Sequence, residues 1–452
     1  MRKSLIVIIL LFILAAASLG YIHEFVDKDK DTITFKETVL YGDKLAAEGI
    51  VVNLNLHCNN HLFWDTTYLV GEEPAVSTDF LFSQIRKTTP ATEPPFALYL
   101  DSLNNFSASG WIDMADEIAP IQDVAGRTGP GEKREEVVYV KDYYDFYPIQ
   151  VGFRPFRSAV PDDTKQIFAD FLRIPVHPDH KVEIQVEKDA AGRVRGIRLS
   201  SLRDIRVHFY ALSASTETGC FFTLALSSIG GELLDTSYIP GGYGIYHFPL
   251  TDGGKKVPDL TTDDLRTVFP VDADKERIVT LQTTDDKKRL LVLTVTEEAY
   301  LLRVIDTATY EQLQELKVLP VSQIADPLLR GFYVYDDLIL PMLNNGQFAL
   351  LALNTEGNYE VRLTGDFHQH AKFSDFIFDQ PAIDYDGEKL AVAVLQSGDY
   401  GAHNNFYLAV YDSTGLRYAG HYEHSLGKDP MKDYSLLCQP VRGTPLTVTW
   451  GG

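Results

Sequence analysis

The chain reads as an all-β protein carried behind one N-terminal apolar helix. Two observations point to the β fold: apolar runs of strand length recur along the chain, and compact turn signals close them at short intervals. A third sets the helix apart, because Leu5 to Ile22 is unbroken by charge and follows Arg2 and Lys3.

That first segment approaches the ~20 residues a helix needs to cross the hydrocarbon core, and its preceding cations follow the positive-inside bias. Ala15-Ala16-Ala17-Ser18-Leu19-Gly20 offers small-residue cleavage sites of the signal-peptide kind. The apolar run continues through Leu19, Tyr21 and Ile22, which favours retention of residues 5–22 as a single-pass anchor over release of a secreted chain. No cysteine stands near its end, which argues against a lipoprotein anchor. Residues 23–31 are polar and read as a spacer. Their Asp27, Asp29 and Asp31 alternate as at the start of a calcium loop, but the glycine and glutamate that such a loop places sixth and twelfth are missing. Residues 32–452 read as one β domain.

Composition narrows the class. With 45% hydrophobic and 12% aromatic residues, the 452-residue chain has the material for a large core. Without Arg2 and Lys3, 39 basic side chains face 63 acidic ones, a net charge of about −24 beyond the apolar segment. Nucleic acid and direct adhesion to anionic lipid both need basic surface, so neither is expected. Cys58, Cys220 and Cys438 are too few for a disulfide scaffold and too far apart for a zinc-site spacing; they read as small buried apolar residues, with at least one free thiol. No cofactor motif appears.

Gly49 to Leu56, Lys181 to Glu187, Arg206 to Leu212, Phe221 to Ser227, Arg289 to Thr296 and Lys389 to Leu395 carry the strand signature. Asn344-Asn345-Gly346, Glu356-Gly357-Asn358, Asp386-Gly387 and Thr414-Gly415 supply tight-turn chemistry. Three phrases align in the C-terminal part: Tyr300 to Thr307, Phe348 to Thr355 and Phe406 to Ser413. Each is an apolar strand ending in Asp or Asn and a hydroxyl residue, followed by a turn and an amphipathic strand. This pattern, over about residues 275–425, resembles the strand hairpins of WD40-like or YVTN-like β-propellers. The resemblance implies a propeller of about seven blades. Leu446 to Trp450 is then expected to pair with an early strand such as Thr32 to Leu40. An insertion from Pro120 to Glu136 and an amphipathic helix from Asp162 to Arg173, with Ile167, Phe168, Phe171 and Leu172 on one face, depart from the repeat.

Candidate chemistry is sparse. His368 and His370 are two apart, the strand spacing that turns both imidazoles to one face, and are the candidate metal ligands. His57, Asn59, Asn60 and His61, beside Trp64, form the densest polar cluster, suited to sugar or peptide contacts next to an aromatic platform. His403, Asn404 and Asn405 form a second candidate binding loop. The carboxylates Asp113, Asp116, Glu117, Asp142, Asp145, Asp375 and Asp379 are open to glycosidase chemistry, and Trp111, Tyr143, Tyr144, Phe146 and Tyr147 to sugar stacking, without one pair being singled out. The leading expectation is a non-enzymatic, membrane-tethered extracytoplasmic head that binds an envelope protein or glycan. The alternatives are a propeller-fold carbohydrate-active enzyme and an accessory subunit of a transporter or signalling complex.

Overall fold

A computed structural model describes residues 2–58, 61–72, 75–82, 97–101, 118–154, 162–201, 206–229, 235–321, 329–367, 381–396, 404–425, 438–441 and 445–451. They divide into two compact units, the first made of Met1–Thr92 and Ala325–Gly452, the second of Glu93–Ile324.

In the first unit a single helix, α1, runs over Arg2–Lys30. Its stretch Ile6–Lys28 is long and apolar enough to cross a membrane, and none of the most apolar window is buried. Residues 23–30, within the segment expected as a spacer, continue the helix as far as Lys30. The charged residues there fall at helical spacing, so that Glu24 pairs with Lys28 at 2.7 Å and Asp27 with Lys30 at 3.0 Å. Val26, 4% exposed, joins Ile33 in the core of the unit.

Three antiparallel sheets follow. β2 (Ile50–Cys58), β3 (Leu62–Leu69) and β4 (Val76–Phe82) form a meander, and β26 (Cys438–Pro440) and β27 (Leu446–Trp450) share the free side of β2. The C-terminal strand therefore pairs with an early strand, but with β2 and not with residues 32–40. The alternation of buried Ile50, Val52, Leu54 and Leu56 makes β2 a central strand that needs a partner on each side. β1 (Phe35–Gly42), largely exposed, becomes the edge of a different sheet, where it pairs with β25 (Gly415–His424) beyond β24 (Phe406–Asp412), β23 (Leu390–Leu395) and β22 (Ala382–Tyr385). β18 (Leu329–Tyr335), β19 (Leu338–Leu343), β20 (Gln347–Leu353) and β21 (Tyr359–Asp366) form the remaining sheet in sequential order.

The second unit holds two sequential four-stranded sheets. One is β10 (Arg206–Ser215), β11 (Gly219–Ile229), β12 (Gly244–Pro249) and β13 (Arg266–Pro270); the other is β14 (Arg277–Thr283), β15 (Arg289–Val295), β16 (Ala299–Asp306) and β17 (Gln312–Pro320). The three aligned phrases fall on β16, β20 and β24, the third strand of three consecutive sheets. Turn glycines behave as their positions require, Gly346 and Gly387 having φ of 87° and 103°.

Ahead of these sheets lie β5 (Ala97–Asp101) paired with β7 (Gln150–Arg154), a three-stranded sheet of β6 (Lys133–Tyr139), β8 (Lys181–Lys188) and β9 (Val194–Ser201), and helices at Ala119–Arg127 and Asp162–Phe171. The second helix buries Phe168, Phe171 and its neighbour Leu172, the predicted face. This insertion shares a core with one face of β11 and β12 through Phe222, Leu224, Tyr246 and Phe248. Phe221 and Ile245, on the other face, pack against Ile278, Leu281, Leu290 and Val292 of the next sheet. The chain thus resembles β-propellers in its repeated four-stranded meanders. Among the described residues five sheets have four or five strands, and the described parts of residues 97–201 add one two-stranded and one three-stranded sheet.

Candidate functional site

The polar cluster around the β2–β3 hairpin is largely structural. His57 closes the buried end of β2, its ring 6.0 Å from that of Phe63. Trp64 is 1% exposed, with its ring 5.9 Å from Phe80, so it belongs to the core and forms no exposed platform. Alternation along β3 buries it together with Leu62 and Thr66. His61 lies exposed in the turn, where its backbone N–H donates to the Cys58 carbonyl at 3.1 Å. Asn59 and Asn60 lie outside the described residues.

The cysteines divide into a bridge, which the sequence left open, and the free thiol it required. Cys58 is disulfide-bonded, Cys220 is free and buried, and the ladder sets Cys438 directly opposite Cys58. Cys58, 5% exposed, and Cys220 are both buried side chains, and burial pushes the free Cys220 thiol pKa up.

His403, His368 and His370 lie outside the described residues. Asn404 is buried. Asn405 ties strands together: its Nδ2 donates to Gln396 Oε1 at 3.0 Å, and its Oδ1 accepts from the His424 N–H at 3.0 Å. His421 Nε2 lies 3.0 Å from the same Gln396 oxygen, and its ring stacks on Tyr407. Among the described residues no group of three or more His, Cys, Asp and Glu side chains is placed to hold a metal ion.

The most concentrated polar cluster in the first unit involves residues that the sequence did not single out. Glu37 of β1 accepts from the hydroxyl of Tyr418 at 2.9 Å, from that of Tyr68 at 3.2 Å, and from Lys44. Tyr418 and Tyr422 hydroxyls lie 2.7 Å apart. Gly420 makes this contact possible, since a Cβ there would sit 2.2 Å from the Tyr418 hydroxyl oxygen. Tyr422 stacks on Phe406 at 4.8 Å, and Phe35 packs edge-on against Tyr68, Phe406 and His424. Burial, then the neighbouring Glu37 carboxylate, raises the Tyr68 pKa; burial is also the main cause at Tyr418 and Tyr422, so all three remain donors at neutral pH. Burial works against the charge of Lys44, but the bond to Glu37, the Glu37 charge and the neighbouring Tyr68 together outweigh it and hold that pKa above the usual lysine value. With three donors around it, the carboxylate latches β1 in place. The one sequence signal was Tyr418-x-Gly-x-Tyr422, which places two tyrosines on one face of a strand with a gap between them.

In the second unit, among the described residues, Arg303 is partnered by carboxylates, whereas the buried His180 has a hydrogen-bond partner on one ring nitrogen only. His180 Nδ1 lies 3.1 Å from the Tyr147 hydroxyl; burial pushes the histidine down to about 4 and the tyrosine up to about 12. His247 packs between Phe221 and Tyr310, and burial, with Arg266 adding to it, pushes it down to about 4. Arg303 grips Glu276 through two bonds of 2.8 and 2.7 Å and reaches Glu315 at 2.6 Å.

The aromatics considered for sugar stacking have structural partners: Tyr143 donates to Asp123, Tyr144 accepts from the Ala119 N–H, and Arg173 lies 4.1 Å over Phe146. Asp145 is exposed and paired with Lys141, and Asp142 is exposed. Asp113, Asp116, Glu117, Asp375, Asp379 and Trp111 lie outside the described residues.

No family model matches the chain, and no curated protein does. Among solved structures, the chain is similar to the periplasmic gluconolactonase PpgL of Pseudomonas aeruginosa at 11% identity, over 80% of this chain and 93% of that one, with a TM-score of 0.29. It is similar to the β-propeller domain of Myceliophteria thermophila Cps50 (Swd1) at 13% identity, over 54% and 69%, with a TM-score of 0.23. A chain of the mitotic checkpoint complex matches at 11% identity and a TM-score of 0.25; this protein spans about half of it, 48%, with 46% of its own length. At such scores the fold rests on its own sheet topology.

Proposed function

We propose that the protein is a membrane-tethered extracytoplasmic head that binds another protein or an envelope polymer, without catalysis of its own. The observation that carries this reading is α1. Its apolar stretch is exposed along its length, and its last turns enter the core of the first unit at Val26. An exposed apolar surface of that size calls for lipid around it, and the helix continues without a break from it into the head.

Two further facts agree. Cys58 is disulfide-bonded, and disulfides persist in oxidising compartments outside the cytoplasm. The half-shielded carboxylates Glu37 and Glu276 both have structural partners, Lys44 with two tyrosine hydroxyls and Arg303 respectively, which agrees with a structural role for each. The test is capture of the intact, detergent-solubilised protein's partners from envelope proteins and glycans. A saturable complex with a protein or glycan is expected. Turnover of a glycan without a stable complex overturns the reading in favour of an enzyme.

A further inference from the structure

A tethered head has one face with a fixed address, and contacts of α1 identify it. The apolar run ends at Ile22, and the ring of His23 lies 5.3 Å from Phe80 and 6.4 Å from Phe82, at the C-terminal end of β4. A helix rises about 1.5 Å per residue, so whatever touches residue 23 lies within one turn of the hydrocarbon boundary. From there the helix climbs along the strand. Lys30 feels the charge of Asp79, three residues back along β4 from Phe82. Seven helical residues rise about 10 Å, and three strand residues span about 10 Å as well. Helix and strand leave the membrane together, with Val26 buried between them and the core.

The end of β4 nearest the membrane is apolar. It is so on both faces of the strand: Phe80 and Phe82, which meet edge to face at 5.6 Å, share the face that meets α1, and Leu81 takes the opposite one; Leu81 and Phe82 are 47% and 43% exposed, and Phe25 of α1 is 47% exposed. We propose that this patch, Phe25 with Phe80 to Phe82, is seated in the outer interfacial layer of the bilayer, so that the head is docked on lipid and does not swing on a linker. The occupant is lipid because the patch continues the surface of the membrane-spanning segment itself, and aromatic and aliphatic side chains at that depth gain from leaving water. The seat also orients the sheet. Leu62 pairs with Phe82, so the β2–β3 hairpin with His61 and the disulfide-bonded Cys58 faces the membrane, while the turn at Lys44–Ala47, which precedes β2, faces away and is open to partners.

This inference rests on the retained tether proposed above. Its test places a spin label at Leu81→Cys in the full-length chain carrying Cys220→Ala, reconstituted in phosphatidylcholine nanodiscs, with Leu45→Cys as the control at the far end of β2. Leu45 is 70% exposed. The expected result is a several-fold higher ratio of oxygen to aqueous-nickel accessibility at Leu81 than at Leu45. A Phe25→Cys label gives the same reading if the Leu81 variant does not fold. Equal aqueous accessibility at both ends overturns the seat alone. Intact mass of the protein from its native membrane separates the two readings: a chain shortened by about 20 residues overturns the tether, and the seat with it.

Discussion

The sheet of β14 to β17 and the sheet built on β2 have similar size and central apolar strands, yet they are assembled in opposite ways. The first is made from Arg277 to Pro320 in strand order, each strand pairing with the next. The second joins Ile50–Phe82 to two strands from the other end of the chain, β26 and β27. Closing a loop of 380 positions between Cys58 and Cys438 opposes folding before any contact in that sheet forms. The disulfide at Cys58 offsets that cost by restricting the unfolded chain. A sheet that is local in sequence stands on its own packing; a sheet closed by the chain ends depends on a clasp.

The sharpest way to break this comparison is to remove the clasp strand. A chain ending at Val441 lacks β27 and leaves Ile50, Val52 and Leu54 of β2 without their neighbour. Cooperative unfolding of the first unit is expected to disappear in calorimetry, while the second unit still melts; two unchanged transitions would refute the clasp. Next in size is Cys58→Ala, expected to cost about 2–5 kcal/mol in denaturant titration, a loss that reductant reproduces in the parent protein. Leu291→Ala, in the central β15, is expected to cost a comparable 2–5 kcal/mol through the cavity it leaves, with no dependence on reductant. Peptide mapping without reduction should recover Cys58 linked to Cys438 and Cys220 as a free thiol.

Acid provides a separate handle on the second unit. His180 and His247 titrate at about 4 in the folded protein, below the ordinary value of about 6.5, so the unfolded chain binds their protons first. Their contribution is complete above about pH 6.5 and drains as pH falls towards about 4, up to roughly 3 kcal/mol for the buried His180. His180→Gln is expected to flatten part of that slope in pH-dependent melting. The smallest effect is expected at the Glu37 latch, where Glu37→Gln weakens the bond to Lys44 but keeps an acceptor for the tyrosines. A loss of about 1–2 kcal/mol, confined to the first unit, would fit; none at all would mean that the latch contributes nothing.

Local features were legible. Apolar runs of strand length marked β11 and β15, helical spacing marked Phe168 and Leu172, and turn residues marked the hairpin at Gly415. What one sequence could not carry were choices between distant partners of equal chemistry. β1 and β2 are both apolar enough to accept the last strand, and only the deeper burial of β2, through Ile50, Val52, Leu54 and Leu56, separates it from the largely exposed β1. Polar residues misled for a related reason: Trp64, Asn404 and His57 read as contact groups because polarity and aromaticity do not reveal which face of a strand they occupy. Glu37 and Lys44 gave no signal, because the three tyrosine rings that enclose them come from strands far away in sequence.

The central claim is that α1 stays with the head. N-terminal peptide sequencing of the mature protein from carbonate-washed membranes tests it most directly. A membrane-bound chain that retains Leu5 to Ile22 is predicted; a soluble chain beginning between Ser18 and Ile22 would contradict it.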